Sequence, residues 1–395
     1  MTQTPLTQSN SKTANDAQRV PELDGIRGIA ILTIIVCHYF QNNLPIDGMF
    51  SARLSRALSW TWSGVDLFFV LSGYLICNIL LNNQASPRYF LAFYVRRFFR
   101  IVPIYFLWVF VFYLTEKLLT NQPIFDPSVV YWLTQPYGPN NLIYYFTFTQ
   151  NFWMAINSTS GARWLDATWS LAVEEQFYLV LPFMVRFTPK RLLPYLFIAA
   201  IVMATVARTF FLDWFGADAA LISYISLITR ADPLFAGALL AYCVKIPKIQ
   251  HFLTTNTWFW KAMIAIGAAG LLYLIAINKA YIGTVTTIPI ALTTFTIMYV
   301  GFVGIAISPQ FPRARAVLSW GPLRRLGIYA YGIYLFHQAI QGIVNGIMRN
   351  KPPMFNEIAD VIPSIIAFII VLIMAHFSWN WIEKPLVKLG HRVKY

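Results

Sequence analysis

Two residues of the first long apolar segment, Arg27 and His38, are of types that could take part in group transfer. They are eleven residues apart. In an α-helix this is about 20° more than three full turns, so both side chains lie on one face, about 16 Å apart along the axis. An imidazole, with a pKa of about 6.5, is suited to remove a proton from a hydroxyl at neutral pH. His38 is therefore the first candidate for a general base or a nucleophile.

Further ionisable residues fall inside apolar segments, where a charge costs at least ~2.5–3.5 kcal/mol, so each is a candidate for function. Counting 1.5 Å per residue puts six of them between the midplane and the outer third of a membrane: Asp66, Glu174, Glu175, Arg230, Asp232 and His337. The two glutamates are adjacent and point to different faces, so at most one serves a single cavity. A structural role is the alternative: an ion pair for Arg230 and Asp232, a helix cap or an arginine partner for Asp66, and a place in the core for His337 and His376.

A cluster of arginines lies at the start of the third apolar segment. The stretch 94–103 contains Arg96, Arg97 and Arg100, and the last two, three residues apart, point the same way on a helix. Arginine binds phosphates through bidentate, charge-assisted hydrogen bonds. The cluster is therefore suited to bind a large anionic donor, and charges that only set the membrane orientation are the alternative.

The composition is that of an integral membrane protein. Of the 395 residues, 57% are hydrophobic and only 12% are charged, against roughly one quarter charged in a soluble domain. The three cysteines, Cys37, Cys77 and Cys243, have no CxxC or metal-ligand spacing, so we expect inert thiols and no metal site. A net charge of +14 raises the question of where the positive charges lie.

Ten apolar segments are close to the ~20 residues that cross ~30 Å of hydrocarbon. They predict an all-α, polytopic membrane helix bundle with spans at about 26–45, 60–81, 99–119, 168–186, 192–212, 221–244, 257–277, 285–308, 326–348 and 359–382. A shorter aromatic stretch, 142–156, is either an eleventh span or an interfacial segment.

The distribution of Lys and Arg favours ten spans. With a cytoplasmic N-terminus and no crossing by 142–156, about 21 of the 30 Lys and Arg are cytoplasmic, about seven are outside, and two, Arg208 and Arg230, lie inside spans. This agrees with the positive-inside rule. We therefore predict about ten transmembrane helices with both termini cytoplasmic. We also predict a disordered cytoplasmic tail at 1–21 without a cleavable signal peptide, one membrane domain at 22–388 and a short basic cytoplasmic tail at 389–395.

Four long motifs occur in the chain: LDGIRGIA at 23–30, running on to His38, GVDLFFVLSGYLI at 64–76, RRFFRIVP at 96–103 and WSLAVEEQFYLVLP at 169–182. Together with weaker matches at 230–241, 331–337 and 383–385, they resemble the acyltransferase-3 family of integral membrane acyltransferases over about residues 22–388. Tyr74 stands where the family usually has Phe, and Gly332 where Ser is common.

The resemblance implies transfer of an acyl group, usually acetyl, from cytoplasmic acyl-coenzyme A to a hydroxyl. The acceptors implied are surface polysaccharide or glycolipid, lipopolysaccharide, peptidoglycan or a secondary metabolite. It also implies a bacterial inner (cytoplasmic) membrane and contact with membrane lipid, and no nucleic acid. The chain contains no Gly-Asp-Ser nucleophile, so a separate partner enzyme that completes the transfer is left open.

Residue roles carried over by position fall into three sets. The catalytic set is His38 with Arg27 as its partner, and Glu175; the donor-binding set is Arg97, Arg100 and Arg96; the supporting set is Asp66, Ser72, Tyr178, Arg230, Asp232 and His337. His38 would act either as a base on the acceptor hydroxyl or as a carrier of the acyl group.

Other functional classes fit the sequence less well. A proton-coupled secondary transporter is the main alternative, because intramembrane His, Glu, Asp and Arg also form proton relays and substrate sites. No inverted repeat and no pair of broken spans is visible in the sequence to support it. Glycerolipid acyltransferases with an H-x4-D motif are excluded, because the fifth residue after His38 is Asn43 and after His376 is Trp381. A structural scaffold is the third alternative.

Overall fold

The computed structural model describes residues 20–45, 49–121, 124–135, 142–281 and 288–395, and in these ranges the chain is helical, without strands. Its α-helices are α1 Pro21–Tyr39, α2 Met49–Leu58, α3 Gly64–Asn82, α4 Tyr89–Asn121, α5 Pro127–Thr134, α6 Leu142–Phe146, α7 Gln150–Ile156, α8 Trp169–Phe187, α9 Leu193–Phe215, α10 Ala219–Ile225, α11 Ala231–Cys243, α12 Pro247–Thr255, α13 Thr257–Ala276, α14 Ile288–Ile307, α15 Pro312–Leu318, α16 Gly321–Arg349, α17 Val361–Ser378 and α18 Lys384–Gly390. The all-α bundle predicted from the sequence is confirmed.

Each of the ten predicted apolar segments coincides with helix. Within the described ranges, seven helical segments are long and apolar enough to cross a membrane, and they contain α1, α3, α4, α9, α13, α14 and α17. The pair α10 and α11, bent by 69°, is an eighth candidate. The other two segments coincide with α8 and α16, which are long enough but more polar. Ten spans and the cytoplasmic placement of both termini stay predictions.

The aromatic stretch 142–156 forms only the short helices α6 and α7, of five and seven residues. Because a span needs ~20 residues, this stretch is not an eleventh span. At the N-terminus, α1 begins at Pro21, the last residue of the predicted tail, because proline fits the first helical position, where its missing N–H costs nothing. Residues 1–19 of the predicted tail lie outside the described ranges.

Two helix crossings made at glycine bring the central helices together. α1 packs on α16, and α3 packs on α11. A Cβ added to Gly327 of α16 would lie 1.8 Å from the carbonyl oxygen of Asp24 in α1, and one added to Gly73 of α3 would lie 1.9 Å from that of Leu234 in α11. Only glycine allows backbones to approach this closely. The first crossing matters for function, because α1 carries His38 and α16 carries His337.

We expect Gly327→Ala to destabilise the protein by about 1–3 kcal/mol, since the new methyl group must push α1 and α16 apart. Alanine otherwise favours helix over glycine by about 1 kcal/mol, so a loss of stability would come from the crossing itself. Thermal unfolding of the purified protein in detergent measures the effect. The matched control is Gly321→Ala on the same helix, where the added Cβ meets nothing within 4 Å. Equal melting temperatures for the two variants would contradict the prediction.

Candidate active site

His38 is paired with a second histidine. It lies in the last turn of α1, and its Nδ1 is 2.6 Å from Nε2 of His337 in α16. The ring planes are within 5° of parallel. His337 is fully buried, and its backbone carbonyl accepts a hydrogen bond of 2.6 Å from the Tyr39 hydroxyl. His337 is therefore in direct contact with the candidate catalytic residue, rather than only a part of the core.

His38 also lines a cavity of about 220 Å³, which we call the histidine cavity. Its polar and aromatic lining residues come from the ends of several helices and the loops between them: Asn42, Trp62, Ser160, Arg163, Asp166, Trp169, Tyr224 and Tyr334. Apolar and aromatic walls with a few convergent polar groups are typical of ligand sites. The cavity is thus suited to hold a polar ligand next to His38.

A chain of polar contacts extends from His38 to the wall of the histidine cavity. Gln338 Nε2 lies 3.1 Å from His38 Nδ1 and 3.2 Å from Asp166 Oδ1. Asp166 in turn binds Arg163 at 3.0 Å. Gln338, Asp166 and Arg163 were not among the site residues predicted from the sequence. The available signal was their position, since Gln338 directly follows His337 and Asp166 stands three residues before the WSLAVEEQ motif.

A second group of polar side chains, which we call the arginine cluster, surrounds Glu174 of α8. The charges of Arg97 and Arg100 of α4 and of Arg27 of α1 all act on this carboxylate. Other carboxylates also act on these arginines: Asp24 on Arg27, Glu175 on Arg97 and Glu383 on Arg100. Arginines in such a half-buried site are suited to bind phosphate oxygens. The structure thus brings the two arginines predicted to bind the donor into one site, together with Arg27.

Ser72 and Tyr178 belong to the arginine cluster. The Arg97 guanidinium lies 5.8 Å from the centroid of the Tyr178 ring, and the Tyr178 hydroxyl is 2.5 Å from Ser72 Oγ. Ser72 also lies beside Glu174. Glu175, predicted to be functional, is near Arg97 as well, but its Oε1 is buried and has no hydrogen-bond partner in the part of the chain that the structure describes. Glu174, on which the charges of three arginines act, was not among the catalytic residues predicted from the sequence.

Arg27 does not contact His38. Its guanidinium binds Asp24 at 2.9 Å, and eleven residues of α1 keep it about 16 Å from His38 along the helix axis. The described side chains in contact with His38 are instead His337 and Gln338, and a catalytic role of Arg27 together with His38 stays a prediction. Arg27 belongs to the arginine cluster instead.

Arg96 points to the C-terminal segment. Its Nε donates a hydrogen bond of 3.0 Å to the Val393 carbonyl, and its guanidinium lies 4.7 Å from the centroid of the Tyr395 ring. These contacts account for the position of its side chain. Donor binding by Arg96 stays a prediction, with less support than for Arg97 and Arg100.

Helix α8 connects the two sites. Ser170 lies near its start, and the Ser170 hydroxyl is 2.6 Å from that of Tyr334, which lines the histidine cavity. Glu174 is one turn further along α8, about 6 Å away along the helix axis. The histidine cavity and the arginine cluster are therefore neighbours along the bundle, and the hydroxyl pair of Ser170 and Tyr334 lies between them.

The remaining intramembrane charges form two buried ion pairs between helices. Arg230 binds Asp66 at 3.0 Å, and Arg208 binds Asp232 at 2.8 Å. Arg230 and Asp232 each pair with a residue of another helix, and their supporting role in the site stays a prediction. The Arg230 guanidinium also lies 5.0 Å from the centroid of the Tyr224 ring, which lines the histidine cavity. The Asp66–Arg230 ion pair thus packs against Tyr224, a residue of the cavity wall.

We expect Arg230→Leu to lower the free energy of unfolding by about 3–5 kcal/mol, because it leaves the Asp66 carboxylate buried and unpaired. The Asp66→Leu/Arg230→Leu double variant should lose less, since it buries no unpaired charge. Thermal unfolding in detergent of the wild-type protein and both variants measures this. A double variant less stable than Arg230→Leu alone would show that the ion pair is not what stabilises this region.

The chain thus combines a polytopic helix bundle with a histidine site and an arginine site side by side. The family model described as an acyltransferase domain, that of the acyltransferase-3 family, matches residues 20–379. The chain belongs to this family of integral membrane acyltransferases, which confirms the resemblance of the four motifs.

Two relatives that are similar in sequence are named O-acetyltransferases. The chain is 26% identical over 394 residues to the peptidoglycan O-acetyltransferase OatA of Listeria monocytogenes serovar 1/2a, with 94% of this chain and 56% of the relative covered. It is 26% identical over 387 residues to the O-acetyltransferase OatA of Staphylococcus aureus strain NCTC 8325, with 94% and 58% covered. The chain therefore spans little more than half the length of these relatives. No solved structure matches it.

Proposed function

We propose that the protein is a membrane O-acyltransferase of the bacterial cytoplasmic membrane. It moves an acyl group, usually acetyl, from cytoplasmic acyl-coenzyme A to a hydroxyl of a cell-wall carbohydrate. The observation that carries this proposal is the pair of neighbouring sites along α8, one rich in arginine and one containing His38. The arginine-rich site is suited to bind the acyl donor, and the site with His38 is suited to bind the acceptor. The names of the two relatives make peptidoglycan the first acceptor to test.

The arginine cluster would bind the donor. Coenzyme A carries phosphates, for which guanidinium groups are the strongest side-chain ligands in proteins. Arg97 and Arg100 lie in α4 near the end of the bundle that the positive-inside rule assigns to the cytoplasm. With the phosphates there, the thioester arm extends past the Ser170–Tyr334 pair toward His38.

The histidine cavity would bind the acceptor. Its Trp62, Trp169 and Tyr224 rings can pack on the apolar faces of a sugar, and Asn42 and Asp166 can hydrogen-bond its hydroxyl groups. The cavity lies at the other end of α1 from Arg27. An acceptor that enters from the outer side therefore meets the thioester inside the bundle.

The reaction is balanced without a further reactant. His38 takes the proton of the acceptor hydroxyl, the hydroxyl oxygen attacks the thioester carbonyl, the carbon–sulfur bond breaks, and the proton passes to the leaving thiolate. In the second form of the mechanism, His38 first accepts the acyl group and then passes it to the acceptor. Both forms give the acyl ester and free coenzyme A.

The test uses the full chain purified in detergent, labelled acetyl-coenzyme A, and a soluble chito-oligosaccharide or a peptidoglycan fragment as acceptor. We expect release of coenzyme A that requires acceptor, and an acetyl ester on the glycan seen by mass spectrometry. A fragment that contains N-acetylmuramic acid should be the better acceptor if peptidoglycan is the natural one.

A reconstituted vesicle experiment separates the enzyme from a transporter. With acetyl-coenzyme A outside and no acceptor inside, the proposed enzyme should not accumulate labelled acetyl-coenzyme A in the lumen. Accumulation of uncleaved thioester, or transport of a sugar without coenzyme A release, would replace the proposal by the transporter alternative.

A further inference from the structure

We infer that His337 is a positioning residue that holds His38 in the Nδ1–H tautomer, so that the lone pair of His38 is on Nε2. This inference rests on the proposed function and deepens it, because it names the atom of His38 that acts. It follows from two contacts taken in order, that of His337 Nδ1 with the Tyr334 carbonyl and that between the two rings.

The first step is the tautomer of His337. Its Nδ1 lies 2.7 Å from the backbone carbonyl oxygen of Tyr334. A carbonyl oxygen only accepts hydrogen bonds, so Nδ1 of His337 must carry a proton. His337 is fully buried, and a second proton would place a cation in the apolar interior at high cost. Its Nε2 therefore has no proton and can only accept.

The second step is the tautomer of His38. Its Nδ1 is 2.6 Å from that accepting Nε2 of His337, and two facing lone pairs would repel at this distance. A proton must lie between the two nitrogens, and it belongs to Nδ1 of His38. The ring centroids are 4.9 Å apart and the planes within 5° of parallel, so the hydrogen bond runs close to the planes of both rings.

Gln338 is compatible with this assignment. Its Nε2 lies 3.1 Å from His38 Nδ1 but also 3.2 Å from Asp166 Oδ1. The amide nitrogen donates an N–H to Asp166 Oδ1 and cannot accept a hydrogen bond, so the His38 N–H is left to His337. Gln338 therefore lies beside the two histidine rings and does not compete for the proton between them.

The consequence concerns the other nitrogen of His38. Nε2 then carries the lone pair, and no hydrogen bond to it is found among the described residues. His38 lines the histidine cavity, and because His337 engages Nδ1, Nε2 is the ring nitrogen left to act on a hydroxyl or a thioester there. When Nε2 takes up a proton, the hydrogen bond from Nδ1 to His337 strengthens and stabilises the imidazolium. The role resembles that of the aspartate in a Ser-His-Asp triad, with a neutral acceptor in place of a carboxylate.

Two variants of His337 separate positioning from packing. His337→Leu removes the acceptor, whereas the side-chain oxygen of His337→Gln can still accept from His38 Nδ1. We expect kcat to fall about 10–100-fold in His337→Leu, with an unchanged KM for acetyl-coenzyme A because the arginine cluster is intact. His337→Gln should recover most of kcat. Equal kcat values for wild-type and His337→Leu protein would overturn the inference.

Nitrogen-15 NMR of histidine-labelled protein in lipid bilayers observes the tautomer itself. The His38 signals are assigned by their absence in His38→Ala. We expect a protonated Nδ1 and an unprotonated Nε2 in the wild-type protein, and a mixture of tautomers in His337→Leu. A protonated Nε2 on His38 in the wild-type protein would overturn the inference even if no variant of His337 folds.

The kinetic and NMR experiments together also separate this inference from the proposed function. If His38→Ala is inactive but His337→Leu is fully active, the acyltransferase proposal stands and the positioning role fails. If wild-type protein shows the Nδ1–H tautomer but releases no coenzyme A with any acceptor, the tautomer assignment stands and the proposed function fails.

Discussion

Replacement of His38 by alanine should lower the rate of acyl transfer by about 10²–10⁴-fold, the range expected for loss of a general base. The physical reason is that no other described side chain presents a basic nitrogen to the histidine cavity, because His337 is buried behind His38 and faces it through Nε2. Coenzyme A release and ester formation with the purified variant measure the effect. Loss of both in parallel is the expected outcome.

The matched control for this variant is His376→Ala. His376 lies on the exposed face of α17 and contacts Tyr329 and Asn380 rather than the cavity. The His376→Ala variant should keep wild-type activity. The variants should also be recovered in equal amounts as monodisperse protein in detergent. Near-normal transfer by folded His38→Ala would remove His38 from the mechanism.

Replacement of both Arg97 and Arg100 by alanine should raise the KM for acetyl-coenzyme A by about 10²-fold or more. A hydrogen bond to a charged group contributes about 1.5–3 kcal/mol, and each 1.4 kcal/mol is about a tenfold change in binding. Steady-state kinetics with varied acetyl-coenzyme A give the value. At saturating donor, kcat should fall much less than kcat/KM, because His38 and the histidine cavity are unchanged.

Two further variants test this assignment. Arg88→Ala removes an exposed arginine near the start of the same helix and should leave KM unchanged, which separates phosphate binding from general loss of positive charge. Glu174→Gln keeps the side-chain volume in the arginine cluster and should lower KM, since it removes the negative charge that competes with phosphate for the arginines. An unchanged KM in the double arginine variant would place the donor site elsewhere.

The positions of the helices could be predicted because the apolar length that crosses a membrane is a property of each segment alone. The contact between His38 and His337 could not, since the two residues are 299 positions apart. It depends on how closely α1 approaches α16, and that distance is determined by the contact of Gly327 with the Asp24 backbone. The sequence shows the glycine but not which backbone lies opposite.

The ion pairs illustrate the same limit. The sequence indicated that Arg230 and Asp232 need partners, and it left open that Asp66 pairs with an arginine. Which arginine meets which aspartate depends on how α3 and α9 are placed around the start of α11, where Arg230 and Asp232 both lie, and composition contains no such information. The choice between Glu174 and Glu175 was open for a similar reason, because the side of α8 that faces α4 is determined by packing.

The polarity of α8 also has a consequence for the synthesis of the protein. A helix with Glu174, Glu175 and Arg186 enters lipid poorly by itself, because each charge near the middle of a helix opposes insertion by about 2.5–3.5 kcal/mol. The next helix, α9, exposes apolar side chains such as Val202 and Met203. We expect α8 to leave the translocon only together with α9, so the carboxylates placed for chemistry make membrane insertion of this hairpin cooperative.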